Sequence, residues 1–387
     1  MKKNLAMKRF SILMVTIIMV TALCPTALAA EVLGSGTIPG SSLTWSLDDS
    51  GVLTISGAGA MPSFTANNLT ETGYNQPWAD YNSYITSIVV ESGVTAVGDN
   101  AFCELTYATA ATLPAGVKTI GSSAFSGCVA LETVNLPEGL ERIGPFAFYN
   151  CDALATIILP STLTTIGNSV FYDCDALTNI TFPASVQDIG RYAFYDCNKL
   201  AQVTLTEGVE TIGSNAFSNC TSLTSITIPR SVWYIDASAF SGCSELADIR
   251  FEGAAPGIVN TAFVGVTANA QYPQNYSTWG ISKRRQYGGT LNWVGYTAAQ
   301  SEPALLAGGA VPDSDLNWEL AYDGTLTISG IGAMPRIVPA PWFPYERIIK
   351  KLVVKQGQAT KFNCILCCIY SPSHCIGNTL RLLVNFF

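Results

Sequence analysis

Six isoleucines, Ile120, Ile143, Ile166, Ile189, Ile212 and Ile235, recur every 23 residues without one insertion. Gly follows the first five, and Asp236 follows the sixth. Three further registers keep the same step: Phe125, Phe148, Phe171, Phe194, Phe217 and Phe240; Cys128, Cys151, Cys174, Cys197, Cys220 and Cys243; Leu131, Leu154, Leu177, Leu200, Leu223 and Leu246. A degenerate earlier copy starts at Val97-Gly98 and Ala101-Phe102, with Leu105 where the cysteine belongs. A unit this short cannot bury its apolar edge alone, so neighbouring units must stack into one continuous core.

The pattern inside a unit sets its local structure. In LTSITIP, residues 223–229, Ile226 and Ile228 alternate with Ser225 and Thr227, which predicts a short half-buried strand. Pro229 ends it, as Pro137, Pro160 and Pro183 do in their copies. SVWYI supplies a second extended piece with Val232 and Ile235 inward. GSNAFSNC then predicts a turn and about one helical turn, burying Ala216, Phe217 and Cys220. Gly after each isoleucine is expected to permit the bend. The fold class is a repeat solenoid of parallel strands, mainly β with short helical turns.

The units resemble the 23-residue leucine-rich repeat of the Treponema-type, BspA-like surface proteins, pattern LxxIxLPxxLxxIGxxAFxxC, over roughly residues 41–357. The resemblance implies a leucine-rich repeat right-handed superhelix with β-rich flanking caps. It also implies adhesion to extracellular matrix proteins or other cells, although family membership does not fix the ligand. LTWSLDDSGVLTISGAGAMP, residues 43–62, with PWADYNSYITSIVVESGV after it, looks like the family's N-terminal lead-in. The stretch after Phe251, as far as NWVGY, looks like its closing segment.

The lead-in occurs twice. Trp45, Gly51, Leu53, Ile55, Gly57, Gly59, Met61 and Pro62 return as Trp318, Gly324, Leu326, Ile328, Gly330, Gly332, Met334 and Pro335. Pro77-Trp78 likewise returns as Pro341-Trp342. Residues 1–30 read as a secretory signal peptide: Lys2, Lys3, Lys8 and Arg9 precede an apolar run over 12–23, and Ala27 and Ala29 precede the cleavage point. The expected organisation is then 31–96 as lead-in cap, 97–251 as a solenoid of about seven repeats, 252–300 as closing segment and 301–357 as the second lead-in. Residues 358–387 keep no repeat register and read as a truncated or frame-shifted end, with a divergent C-terminus as the alternative.

Removing the leader leaves sixteen basic against twenty-eight acidic residues, a formal charge of −12. That balance argues against nucleic-acid partners and anionic membranes, which need a basic footprint. Membrane insertion is not expected after signal cleavage, and the expected location is secreted or cell-surface.

Twelve cysteines in an exported chain suggest disulfides. Equivalent residues of adjacent coils should sit about 4.8 Å apart with parallel side chains, beyond the ~3.5–4.5 Å Cβ separation of a disulfide. A row of buried thiols acting as small apolar fillers is expected instead, which would suit a reducing or anaerobic exterior. CILCCIYSPSHC, residues 364–375, has the composition of a metal cluster, but its spacing matches no closed zinc pattern. No metal and no cofactor are expected.

The repeats contain no histidine, the single one being His374, so a Ser-His-Asp or Cys-His arrangement cannot be assembled there. No P-loop, H-E-x-x-H or dinucleotide fingerprint occurs. Asp152, Asp173, Asp175 and Asp196 repeat along a ridge, unlike two carboxylates facing across a glycosidase cleft; they read as a solvated edge or a weak cation site. The expected protein is therefore non-catalytic, with an extracellular protein or glycan as partner. The alternative is a structural spacer within a larger cell-envelope protein.

Two surfaces are candidates for that partner. The first strand projects Thr133 and Asn135, Thr156 and Ile158, Asn179 and Thr181, Gln202 and Thr204, Ser225 and Thr227, and Asp248 and Arg250, a polar and nearly uncharged ladder. Thr also suits exposed strand positions for backbone reasons alone. The second candidate is aromatic: Tyr149, Tyr172 and Tyr195 share one register, Phe146 and Tyr192 another, and Trp233 with Tyr234 interrupts a polar second strand. Such rings either contact a partner or cover the edge of the core.

Overall fold

The computed structural model describes residues 30–65, 73–298, 307–311, 316–320, 325–330, 349 and 351–354. Residues 1–29, which the sequence reads as part of a signal peptide, and the cysteine-rich tail lie outside the described residues. Successive coils lie side by side and form two parallel ladders joined by a turn edge. The first ladder opens with the antiparallel strands Val32–Thr37, Thr44–Asp48 and Val52–Ser56, then continues in parallel through Ser87–Val90, Ala110–Thr112 and Thr133–Asn135. It reappears as Asn179–Thr181 with Gln202–Thr204, and as Ser225–Ile228, Asp248–Phe251, Thr267–Pro273 and Thr290–Tyr296. Between these pieces Thr156 makes only an isolated bridge to Asn179. The second ladder is made of short strands in strict register: Ile143 pairs Ile120 and Ile166, and Ile212 pairs Ile189 and Ile235.

The core runs the length of the stack. The rings of Trp78, Phe102, Phe125, Phe148, Phe171, Phe194, Phe217, Phe240 and Phe263 form one column with centroids 5.1 to 5.9 Å apart. All are fully buried. Each stacked pair adds roughly 0.5–1.5 kcal/mol beyond the area it removes from water. Phe251, Trp279 and Trp293 close the far end, with Phe251 4.9 Å from Trp279 and Trp279 Nε1 donating to the Gly253 carbonyl.

The turn edge differs from the helical turn that the sequence predicts. The N–H groups of Ser123, Phe125 and Gly127 donate to the carbonyls of Pro145, Ala147 and Tyr149 in the next coil, at 2.8 to 2.9 Å. The residues between them close local turns, Ser126 onto Ser123 and Cys128 onto Phe125. Two left-handed residues per coil enforce this alternation, for example Ser169 (φ 55°) and Asp173 (φ 58°). A helix cannot propagate through them, so the backbone donors pair across coils instead. The helices among the described residues are 3-10 turns in the flanks, Ala79–Tyr84 and Ile281–Lys283.

Glycine after the isoleucine serves close approach rather than the bend. Gly167 has no positive φ, and a Cβ there would lie 2.5 Å from the Pro145 nitrogen of the preceding coil. A further coil that the repeat letters disguise follows the last Cys-containing unit. Gly257–Ile258 pairs with Tyr234–Ile235, while Ala262, Phe263 and Val266 take the buried Ala, Phe and Cys places.

In the stretch that the sequence reads as a second lead-in, the described strands pair as Val32–Thr37, Thr44–Asp48, Val52–Ser56 and Ser87–Val90 do. Ala307–Ala310, Leu316–Leu320, Thr325–Gly330 and Lys351–Val354 form a sheet in which Trp318 faces Ile328 and Leu326 faces Leu352. Trp45 faces Ile55 and Leu53 faces Ile88 in the same way. No helix among the described residues is long and apolar enough to cross a membrane.

Candidate binding surface

Alternation within the first strands leaves every proposed ladder residue on the outer side. Thr133, Asn135, Thr156, Asn179, Thr181, Gln202, Thr204, Ser225 and Thr227 are all exposed, while Val134, Ile157, Ile180, Val203 and Ile226 between them are buried. Ile158 stands out on this polar face at 84% exposure. The ladder carries hydroxyls and amides, which suit hydrogen bonding to a ligand.

The turn edge carries a more specific arrangement. Tyr149 and Tyr172 stack with centroids 5.0 Å apart, and Tyr172 and Tyr195 with centroids 4.7 Å apart. All three are half-buried. Phe146 joins Tyr149 edge-on at 6.1 Å and is 44% exposed. Tyr192 lies 5.6 Å from Tyr195 and 6.5 Å from Tyr172. The five rings form a continuous shelf across three coils. Both shared registers were visible in the sequence; their merging into one shelf was not, because it depends on the tight turn edge.

Backbone geometry singles out two members. Phe146 (φ 58°) and Tyr192 (φ 56°) occupy the left-handed position that Asn100, Ser123, Ser169, Asn215 and Ser238 fill in sibling coils. Small polar residues tolerate that conformation, whereas bulky ones rarely adopt it. Strain of this kind gathers where a side chain is needed for something other than folding.

Carboxylates line the shelf. Asp173 is pushed above the ordinary carboxylate range by burial first, and then by Asp175, Asp152 and Asp196. Asp152 is raised by burial and by Asp175. Burial, then Tyr195 and Asp196, raises the Tyr172 hydroxyl. Asn219 Nδ2 donates to Asp196 Oδ1 at 2.7 Å and to the Tyr195 hydroxyl at 3.4 Å, tying the end of the row to the next coil. No group of three or more His, Cys, Asp or Glu side chains among the described residues is placed to hold a metal ion.

Trp233 and Tyr234 do not join the shelf. They contact one another at 5.6 Å, and Tyr234 belongs to the second-ladder strand Tyr234–Ile235. Its ring lies over Gly257, where an added Cβ would come within 3.2 Å of it. These two rings cover the second ladder.

Beneath the shelf runs the thiol row. Cys128, Cys151, Cys174, Cys197, Cys220 and Cys243 are free and buried, and each Sγ donates to a phenylalanine carbonyl of the preceding coil at 3.0 to 3.3 Å. Burial pushes every one of them up, Cys174 and Cys243 to about 12. A thiol held protonated is a poor nucleophile and a poor metal ligand.

Parallel ladders, a phenylalanine column and a turn edge repeating every 23 residues define a leucine-rich repeat solenoid. The model of the BspA type leucine rich repeat region matches residues 79–186 and 164–272, in six copies. The chain belongs to this BspA-type family. Similar solved structures include the T. pallidum leucine rich repeat protein, with 28% identity, covering 55% of this chain and 91% of that one at a TM-score of 0.40. A leucine-rich repeat protein from Eubacterium ventriosum has 24% identity, covering 62% of this chain and 79% of that one, at 0.37. One from Bacteroides ovatus has 23% identity, covering 67% and 79%, at 0.39. No curated protein matches the chain.

Proposed function

We propose that the chain is a secreted or cell-surface binding protein, adhesin-like and non-catalytic, that holds an extracellular protein or glycan on its turn edge. The observation that carries this reading is the shelf of Phe146, Tyr149, Tyr172, Tyr192 and Tyr195, half-buried except for the exposed Phe146, two of whose members occupy a backbone position unfavourable to them. Exposed aromatics grouped in one patch are typical of contact surfaces. The signal-peptide pattern in the first thirty residues supports export.

The test is a binding screen of the full chain against matrix proteins, mucins and glycan arrays, repeated with Tyr172→Ala. Saturable binding that the substitution weakens is expected. No saturable ligand anywhere in the panel would overturn the reading.

A spacer role in a larger envelope protein is the second reading. It is favoured by the sheet of Ala307–Ala310 through Lys351–Val354, which repeats the architecture that opens the first solenoid. Genomic sequence in which the Ile-Gly, Ala-Phe and Cys registers resume after residue 357 would favour it.

A further inference from the structure

The two ends of the solenoid carry opposite charge. Residues 31–117 contain eight aspartates and glutamates and no lysine, arginine or histidine. The closing stretch, 253–298, reverses this: it has no acidic residue, and its cations are the consecutive Lys283, Arg284 and Arg285. Each end also presents a strand edge. Among the described strands, Val32–Thr37 pairs only with Thr44–Asp48, and Thr290–Tyr296 only with Thr267–Pro273. Neither edge strand contains a charged residue or a proline, the usual devices that stop an edge from pairing. Val32 is exposed at one end, and Val294 and Ile281 at the other.

The charges sit beside these edges. Trp293 Nε1, on the closing strand, donates to the Arg285 carbonyl at 2.9 Å, and Arg284 Nη1 donates to the Tyr272 hydroxyl at 2.8 Å. At the opening end, Asp49 Oδ1 accepts from the Glu31 N–H at 3.2 Å, immediately before the edge strand. Asp80 belongs to the turn Ala79–Tyr84, whose Tyr81 ring would lie 2.8 Å from a Cβ on Gly34 of that strand. Glu31, Asp49, Asp80 and Arg285 are all exposed. Direction matches too. Two successive antiparallel pairings return Val32–Thr37 to the direction of the parallel coils. A second copy placed further along the ladder therefore offers this strand parallel to Thr290–Tyr296, and the two are six and seven residues long.

We propose that the protein docks head to tail on a second copy of itself. Thr290–Tyr296 of one copy pairs with Val32–Thr37 of the next, and the basic loop around Arg285 faces Glu31, Asp49 and Asp80. The opening face of this chain supplies what the closing edge lacks: a free strand, an exposed valine and acidic groups. Ala307–Ala310 pairs only with Leu316–Leu320, so no described strand of the same chain fills that edge. Both copies are acidic overall, but at physiological salt that repulsion is screened beyond about 8 Å, whereas the facing charges are opposite. Two different patches meet, so the contact is heterologous and does not close on itself.

The test is sedimentation velocity of the chain as exported, without its leader, from low to high micromolar concentration at physiological salt. Sedimentation coefficients that climb with concentration past the dimer are expected. Arg285→Glu and Asp49→Lys, both at exposed positions, should each weaken association about tenfold, because like charges then face one another. An equimolar mixture of the two variants should associate again through contacts between unlike copies, and that recovery also shows that both are folded. Association that stops at two copies, or that ignores both substitutions, would overturn the proposal. So would a chain that stays monomeric throughout, as it would if residues 307–354 of the same chain covered the closing edge.

Discussion

The Sγ of Cys174 donates to the carbonyl of Phe148 at 3.1 Å, across the boundary between two coils. The same contact recurs down the stack, so each cysteine fills the core and also satisfies a carbonyl that its own coil leaves partly open. Native thiols of the described solenoid should therefore resist maleimide labelling and become reactive only on denaturation. Differential alkylation with peptide mapping checks this; bridged or readily labelled cysteines within 128–243 would contradict it.

Stability should fall in alkali. Cys174 has an ordinary value of 9.0 and is raised to about 12 in the folded chain. The folded state therefore holds protons that the unfolded state releases. This contribution is complete below pH 9 and is lost as pH rises from there toward 12. Each such thiol removes about 1.4 kcal/mol per pH unit over that window. Denaturant melts at stepped pH should show the decline steepening above pH 9, and a flat profile there would contradict the buried row.

Phe171 lies between Phe148 at 5.5 Å and Phe194 at 5.1 Å in the column. Phe171→Ala should destabilise by about 3–5 kcal/mol, since the rings on both sides are held by their own coils and cannot close the cavity. Phe171→Leu should be markedly milder. Chemical denaturation of the two variants measures the difference.

Gly167→Ala should be costly for a small change. The added methyl would meet backbone at 2.5 Å, which cannot rotate away as a side chain would. A loss of about 1–3 kcal/mol is expected from overpacking. Gly40 has an open surrounding with nothing within 4 Å, and its φ of +78° makes Asn the matched substitution. Gly40→Asn should leave the melting temperature nearly unchanged.

Phe146→Asn and Tyr192→Asn should stabilise the fold while weakening the ligand. Each relieves a bulky residue of a left-handed conformation that sibling coils give to Asn or Ser. A gain of roughly 0.5–1 kcal/mol per site is expected from melts. Loss of stability in both would show that the rings serve the fold rather than the surface.

Rows of like side chains were legible in the sequence because the period places Ile on Ile and Phe on Phe with no insertion. The helical turn was misread: eight residues with three apolar positions look helical, whereas Ser169 and Asp173 turn left-handed and, with Phe171 between them, send their own donors to the next coil. The glycine after isoleucine was misread for a related reason, since close approach of two backbones leaves no mark in composition. In the candidate surface, the exposed strand ladder followed directly from alternation. Trp233 and Tyr234 were grouped with the tyrosines on chemistry alone, and their register assigns them to another side of the coil.

The most direct test is a crystal structure of the full chain, read at Phe148, Phe171 and Phe194. Neighbouring rings in one buried column at 5.5 and 5.1 Å, with Tyr149, Tyr172 and Tyr195 stacked at the solvent edge beside them, are the expected result. Rings dispersed among other elements would contradict the stacked interior and remove the shelf built on its edge.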